Sequence, residues 1–254
     1  MNGREFKPVM GLRIEPATMS SAKIGGRKLK QKIRSLLAQD EFASALAALC
    51  RLPAREVISP LFSFFYSMDE LTKWRAVTAV GAVVSELART DMEYARVAMR
   101  RLIWSLNDES GGIGWGSAEA LGEIMARRKE LADEYAHLLL SYARKDGNFI
   151  ENELLQRGVL WGLGRLAQAY PRLLKEADIF IPPYLKSTDS IVRGSAVKLS
   201  GILCLGTARE SLDRLTADHT PFRLYCNGGM VTHHINRIAA EALFRLNTHA
   251  NHND

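Results

Sequence analysis

Residues 191–203 read IVRGSAVKLSGIL, and four other stretches of the chain follow the same pattern. They are TKWRAVTAVGAVV (72–84), GIGWGSAEALGEI (112–124), LLQRGVLWGLGRL (154–166) and HINRIAAEALFRL (234–246). Anchored on Gly81, Gly122, Gly164, Gly201 and Phe244, they recur at spacings of 41, 42, 37 and 43 residues. Positions −4, −1, +2 and +3 from the anchor are mainly apolar, the spacing of one stripe on a helix. At −2 stand Ala79, Ala120, Gly162, Leu199 and Ala242, mostly small residues that let a neighbouring helix approach closely.

A second amphipathic helix is expected before each of these, over roughly 56–66, 92–106, 129–144 and 171–186, with a short one at 209–217. Turn signals join the pairs: Asn107-Asp108, Lys145-Asp146-Gly147-Asn148 and Ser187-Thr188-Asp189-Ser190. An earlier pair over 29–37 and 41–49 starts the array. One such pair cannot bury its apolar stripe alone, whereas stacked pairs share a continuous core. With two helices per period near 40 residues, and the opening Val192-Arg193-Gly194-Ser195-Ala196, the stretch from Leu29 to Leu246 resembles HEAT repeats. The chain is similar to small bacterial proteins of that kind. The resemblance implies an all-α, right-handed HEAT-repeat solenoid of five to six helical pairs.

The last pair is interrupted by Phe222-Arg223-Leu224-Tyr225-Cys226-Asn227-Gly228-Gly229-Met230-Val231. An Asn-Gly pair between apolar and aromatic residues is a strong hairpin signal. A small β-hairpin insertion is therefore expected at about 220–232, either capping the open end of the solenoid or serving as a contact element.

Charge divides the chain unevenly. Of the formal net charge of +6, residues 1–34 contribute +7 and the remainder −1. Residues 1–26, with Pro8, Pro16 and the Gly25-Gly26 pair but no apolar period, read as a basic flexible arm ahead of a HEAT domain over 27–254. Such an arm suits phosphate, so nucleic acid is a second partner class, reached through the arm. A hydrophobic fraction of 47% excludes a wholly disordered chain. Three scattered cysteines, Cys50, Cys204 and Cys226, exclude a disulfide scaffold and fit a reducing compartment. No apolar stretch follows the first basic residues as in a secretory leader, and Ala76 to Leu87 is too short for a bilayer, which needs about 20 residues. The expectation is a cytoplasmic protein with no membrane partner.

Function would lie on a second stripe, at −7, −3 and +1, which lines the concave side in a HEAT array. It reads Trp74, Thr78, Ala82; Trp115, Glu119, Glu123; Arg157, Trp161, Arg165; Gly194, Lys198, Ile202; and Arg237, Glu241, Arg245. Two readings fit it: salt bridges between repeats with tryptophans plugging gaps, or a groove with aromatic anchors and paired charges. The partner-binding candidates are Trp74, Trp115, Glu119, Glu123, Arg157, Trp161, Arg165 and Lys198. The glycine-rich run Gly111 to Gly116 is an interhelix turn and lacks a nucleotide-binding fingerprint.

The stripe is also similar to that of the HEAT-like alkylpurine DNA glycosylases. These use a Trp and an acid one helical turn apart, with an Arg on the next repeat; Trp115, Glu119 and Arg157 stand in those places. Here the acid is Glu rather than Asp, Trp161 shares a helix with Arg157, and the array carries no net positive charge. His233-His234 are adjacent and diverge on a helix, so no metal or cofactor is expected. The reading is a non-catalytic scaffold that binds a protein partner through its concave face, with DNA binding, including alkylbase excision, as the alternative.

Overall fold

The computed structural model describes residues 25–107 and 114–250. The helices are α1 (Gly26–Leu37), α2 (Phe42–Cys50), α3 (Ala54–Phe62), α4 (Glu70–Leu87), α5 (Met92–Leu106), α6 (Ser117–Arg127), α7 (Lys129–Ser141), α8 (Glu153–Ala169), the short α9 (Ala177–Phe180), α10 (Ser190–Leu203), α11 (Arg209–Leu215) and α12 (Ile235–Ala250). Strands β1 (Pro221–Cys226) and β2 (Gly229–His234) lie between α11 and α12. The six even-numbered helices pack side by side in chain order, and α1, α3, α5, α7 and α11 each pack on the even helix that follows. This is a two-row α-solenoid of six pairs, the fifth with short turns in place of its first helix. The core lies between the rows: Val77, Val80 and Val83 on α4, Leu121 and Ile124 on α6, and Leu160, Leu163 and Leu166 on α8 are buried.

The repeat is also legible in how helices begin. Asp69 accepts from the Thr72 N–H at 2.7 Å, and Asp189 accepts from the Ile191 and Val192 N–H groups at 2.8 and 3.1 Å. In both turns a serine two residues earlier accepts from the aspartate N–H, Ser67 at 3.2 Å and Ser187 at 3.1 Å. Asn152 caps α8 in the same way. Each cap satisfies N–H groups that the first turn leaves without a helical partner. Between α6 and α8 the small residues do what their spacing implies: a Cβ on Gly122 would overlap the Gly162 backbone.

Two expectations need correction. The helix expected over 171–186 is instead a 3₁₀ turn at Pro171–Leu174, the four-residue α9, and a second 3₁₀ turn at Pro182–Lys186. Pro182-Pro183 removes two backbone donors and clashes with the preceding turn, and this is the short repeat, spaced at 37 residues. The helix expected over 56–66 likewise ends at Phe62 and closes in a 3₁₀ turn, Ser63–Tyr66. The glycine-rich run lies outside the described residues over 111–113, as does the basic arm up to residue 24. The bases that follow the arm, Arg27 to Arg34, belong to α1.

The hairpin forms where its turn signal lies. Asn227 (φ 51°) and Gly228 (φ 89°) take the two positive-φ positions of a two-residue loop, which asparagine and glycine tolerate best. Register runs from Cys226 opposite Gly229 to Pro221 opposite His234. It does not cap the open end of the solenoid. It folds back onto the row of even helices.

Candidate functional site

Trp74 projects from α4 and Trp161 from α8, yet their ring centroids are 4.8 Å apart. The intervening α6 separates their backbones by two helix packings, each of about 8–10 Å. The two side chains reach each other across α6, on the stripe that the sequence reading assigns to the concave face. The hairpin occupies it. Tyr225 stacks on Trp74 with centroids 5.3 Å apart and planes 4° from parallel, and lies 6.5 Å from Trp161. Its hydroxyl is 3.2 Å from Thr78 Oγ1. The Trp161 indole Nε1 donates to the Tyr225 main-chain carbonyl at 3.2 Å.

β1 is covered on both faces. Successive residues of a strand point to opposite sides. On the side opposite Tyr225, Phe222 and Leu224 are buried, and a Cβ on Gly194 of α10 would overlap the Phe222 ring. On Tyr225's side, Arg223 pairs with Glu70 of α4 at 3.3 Å. β2 is outermost, with Val231 and Thr232 exposed. The strand therefore enters the groove edge first, between the tryptophan pair and α10.

Each predicted site residue except Trp115 lies on the expected helix, but the stripe is not the open surface foreseen; α6 begins only at Ser117, after Gly116 at φ 78°, so Trp115 stands in the turn before it. Trp161 is 9% exposed and Trp74 is half-buried under Tyr225. Lys198 points its ammonium at the hairpin, 3.8 Å from Cys226 Sγ. Glu123 is buried with Arg127 at 2.8 Å and Arg165 at 2.6 Å. Burial alone would raise its carboxyl, but the two guanidinium groups outweigh that and hold it below the usual range. Glu119, one turn earlier, is buried too. Burial pushes its carboxyl above the usual range, opposed by Lys73 and by the backbone N–H groups of Glu119 and Gly116. Trp115 remains 39% exposed, with the Lys73 ammonium 5.8 Å from its ring centre. Arg157 turns to the next repeat and donates to the Asp189 carboxylate at 2.7 Å, which with the cap at the start of α10 overrides burial and keeps that carboxyl low.

The contacts are those of the first sequence reading: Glu123 and Arg165, and Arg157 and Asp189, are salt bridges between repeats, and Trp74 and Trp161 pack against each other and against Tyr225 of the hairpin. The arrangement implied by the glycosylase resemblance is not assembled on an open face, because Arg157 is held by Asp189 and the hairpin lies in the groove. The sequence reading misses Phe222 and Tyr225 as parts of the site, and places Thr78 and Gly194 on the stripe without counting them among the candidates. The signal for the first two was present in the hairpin's paired aromatics.

Among the described residues no cluster of histidine, cysteine and carboxylate side chains could hold a metal ion, and no helix is long and apolar enough to cross a membrane. No family model matches the chain. An uncharacterised protein of Archaeoglobus fulgidus is 30% identical over 117 residues, which are 44% of this chain and 57% of that protein. The chain thus spans little more than half the length of this relative. Among solved structures, a designed armadillo repeat protein in complex with the peptide (KR)4 superposes with a TM-score of 0.52 at 17% identity, covering 86% of this chain and 99% of that one. An engineered protein superposes with a TM-score of 0.51 at 15% identity, covering 87% and 97%. The fold is that of the armadillo and HEAT-like repeat solenoids.

Proposed function

We propose that this chain is a non-catalytic repeat scaffold that binds an extended segment of a protein partner along its concave face. One observation carries the reading: the groove already holds an extended strand, and does so through both its side chains and its main chain. Trp74 and Trp161 flank an aromatic ring, and the Trp161 indole donates to a backbone carbonyl. Neither contact depends on the strand belonging to the same chain. Backbone hydrogen bonding provides affinity for any extended polypeptide, and pockets for particular side chains provide selectivity. The peptide complex of the designed armadillo protein supports the same use of this fold. The tied-up state of Glu123, Arg165 and Arg157 makes them the frame of the groove rather than its contact surface.

The test is a random-peptide display selection on the full chain carrying Phe222→Ala and Tyr225→Ala, after its helical circular dichroism has been matched to the parent. Peptides enriched on that chain and lost on adding Trp161→Ala are the expected result. Enrichment of nothing on the folded variant would overturn the reading.

A further inference from the structure

We infer that the hairpin is a built-in stand-in for the partner: the partner's binding segment is an extended stretch with two aromatic side chains three residues apart and a base directly after the first. It enters by displacing β1. This rests on the function proposed above and adds the chemistry of the ligand and the way access to it is controlled.

The ligand chemistry is read from the contacts. Phe222 fills the space left by the missing side chain of Gly194, and Tyr225, three residues on, fills the slot beside Trp74 and Trp161. The Tyr225 hydroxyl meets Thr78, so tyrosine fits that slot better than phenylalanine. Arg223 follows the first aromatic and meets Glu70. Leu224 between them is buried as well, so a partner segment of the form aromatic–basic–apolar–tyrosine would reproduce these contacts.

Displacement follows from how the hairpin is attached. The solenoid core lies between the two helical rows, whereas the hairpin touches the concave stripe. Its buried residues Phe222, Leu224 and Tyr225 join the same apolar cluster from the stripe side, so removing it uncovers an aromatic floor at the edge of that cluster. The strands pair only with each other, in a two-stranded sheet with no ladder to a third element among the described residues. A hairpin of two strands is marginally stable by itself, so this one is ordered by the groove. Its tip meets the solenoid lightly: a Cβ on Gly228 would be 3.7 Å from Phe42. The tether works against an incoming ligand. A segment held by short connections acts at an effective concentration of order millimolar, and a site that is mostly occupied binds a competitor with its affinity reduced by the unoccupied fraction.

The probe is a fluorescent synthetic peptide copying residues 219–235, followed by anisotropy against the full chain. Three proteins are compared: the parent, Tyr225→Ala, and Tyr225→Ala with Trp161→Ala. The expected order is binding by Tyr225→Ala at least ~10-fold tighter than by the parent, with loss of binding on adding Trp161→Ala. Arg223→Glu sets a repulsive charge against Glu70 and leaves the aromatic contacts in place. It gives the same direction with a smaller factor, and serves if Tyr225→Ala does not fold. Replacing either aromatic in the peptide by alanine weakens binding. Equal binding by the parent and the opened chains, or none by a folded opened chain, would overturn the inference. So would a parent that doubles in mass with concentration and loses that property in Tyr225→Ala, since the occupant would then be a second copy. If the display selection enriches peptides of unrelated pattern while the hairpin peptide does not bind, the stand-in fails and the proposed function stands. If neither binds, both fail.

Discussion

One stripe of the repeat has two fates in this molecule. On α4, α6, α8 and α10 it carries tryptophans, small residues and paired charges, and most of it is buried or half-buried. On α12 the same positions hold Arg237, Glu241 and Arg245, all exposed. The backbone periodicity is identical, so burial differs because of what lies over each stretch. Where the hairpin and neighbouring helices exclude water, most of the residues are ones that tolerate dehydration: rings, glycine, alanine, and Glu123 countered by two guanidinium groups, with Glu119 the costly exception. Where water reaches the stripe, three long charged side chains suffice. The composition of the stripe is therefore a record of its cover.

The largest expected effect that could break this comparison is at Trp161. Truncating a buried tryptophan costs about 3–5 kcal/mol, so Trp161→Ala should lower the urea midpoint strongly, while Arg237→Ala and Glu241→Ala stay within about 0.5 kcal/mol. A small loss at Trp161 would mean the hairpin is not held as described.

Next come the two glutamates of α6, which separate burial against two paired guanidinium groups from burial opposed mainly by the Lys73 charge. Glu123 titrates low in the folded state, so its stabilisation is present at neutral pH and is lost as pH falls through its folded value. Glu123→Gln should cost about 2–3 kcal/mol at pH 7, with the gap to the parent closing below about pH 4. Glu119 titrates high, so the fold loses stability as pH rises past the ordinary carboxylate range. Glu119→Gln should therefore shift the thermal midpoint at pH 7 opposite to Glu123→Gln. Shifts of the same sign would refute the distinction.

A third test uses two glycines in helices. Gly194→Ala collides with the Phe222 ring and should cost about 1–3 kcal/mol, much of it recovered when Phe222→Ala is added. Gly164→Ala meets nothing within 4 Å and should stabilise by up to about 1 kcal/mol. A small effect is also expected at Arg223, whose pair with Glu70 is more than half exposed on both sides. Arg223→Ala should change stability by less than about 1 kcal/mol, which makes this position a lever on the hairpin rather than on the solenoid.

Much of this was legible in the chain. The helical pairs follow from apolar spacing and from Asp69, Asn152 and Asp189 as caps, all of which act within a few residues. The stripe residues Trp74 and Trp161 were found by the same periodicity. The short fifth pair was misread because apolar spacing over 171–186 suggested a helix that Pro182-Pro183 forbids. Tyr225 and Phe222 were seen as hairpin residues but not as occupants of the groove.

The sequence by itself determined the repeat, the stripe and the hairpin, because each is fixed by interactions among neighbours: helical period, caps, and the positive φ of Asn227-Gly228. Only the tertiary structure decided where the hairpin lies. Tyr225 meets Trp161 across 64 residues of chain and Thr78 across 147, and no local pattern encodes a contact at that separation. It depends on how closely the helices of the row approach one another, as Gly122 does Gly162, and each such packing is set by the shapes of two helices together.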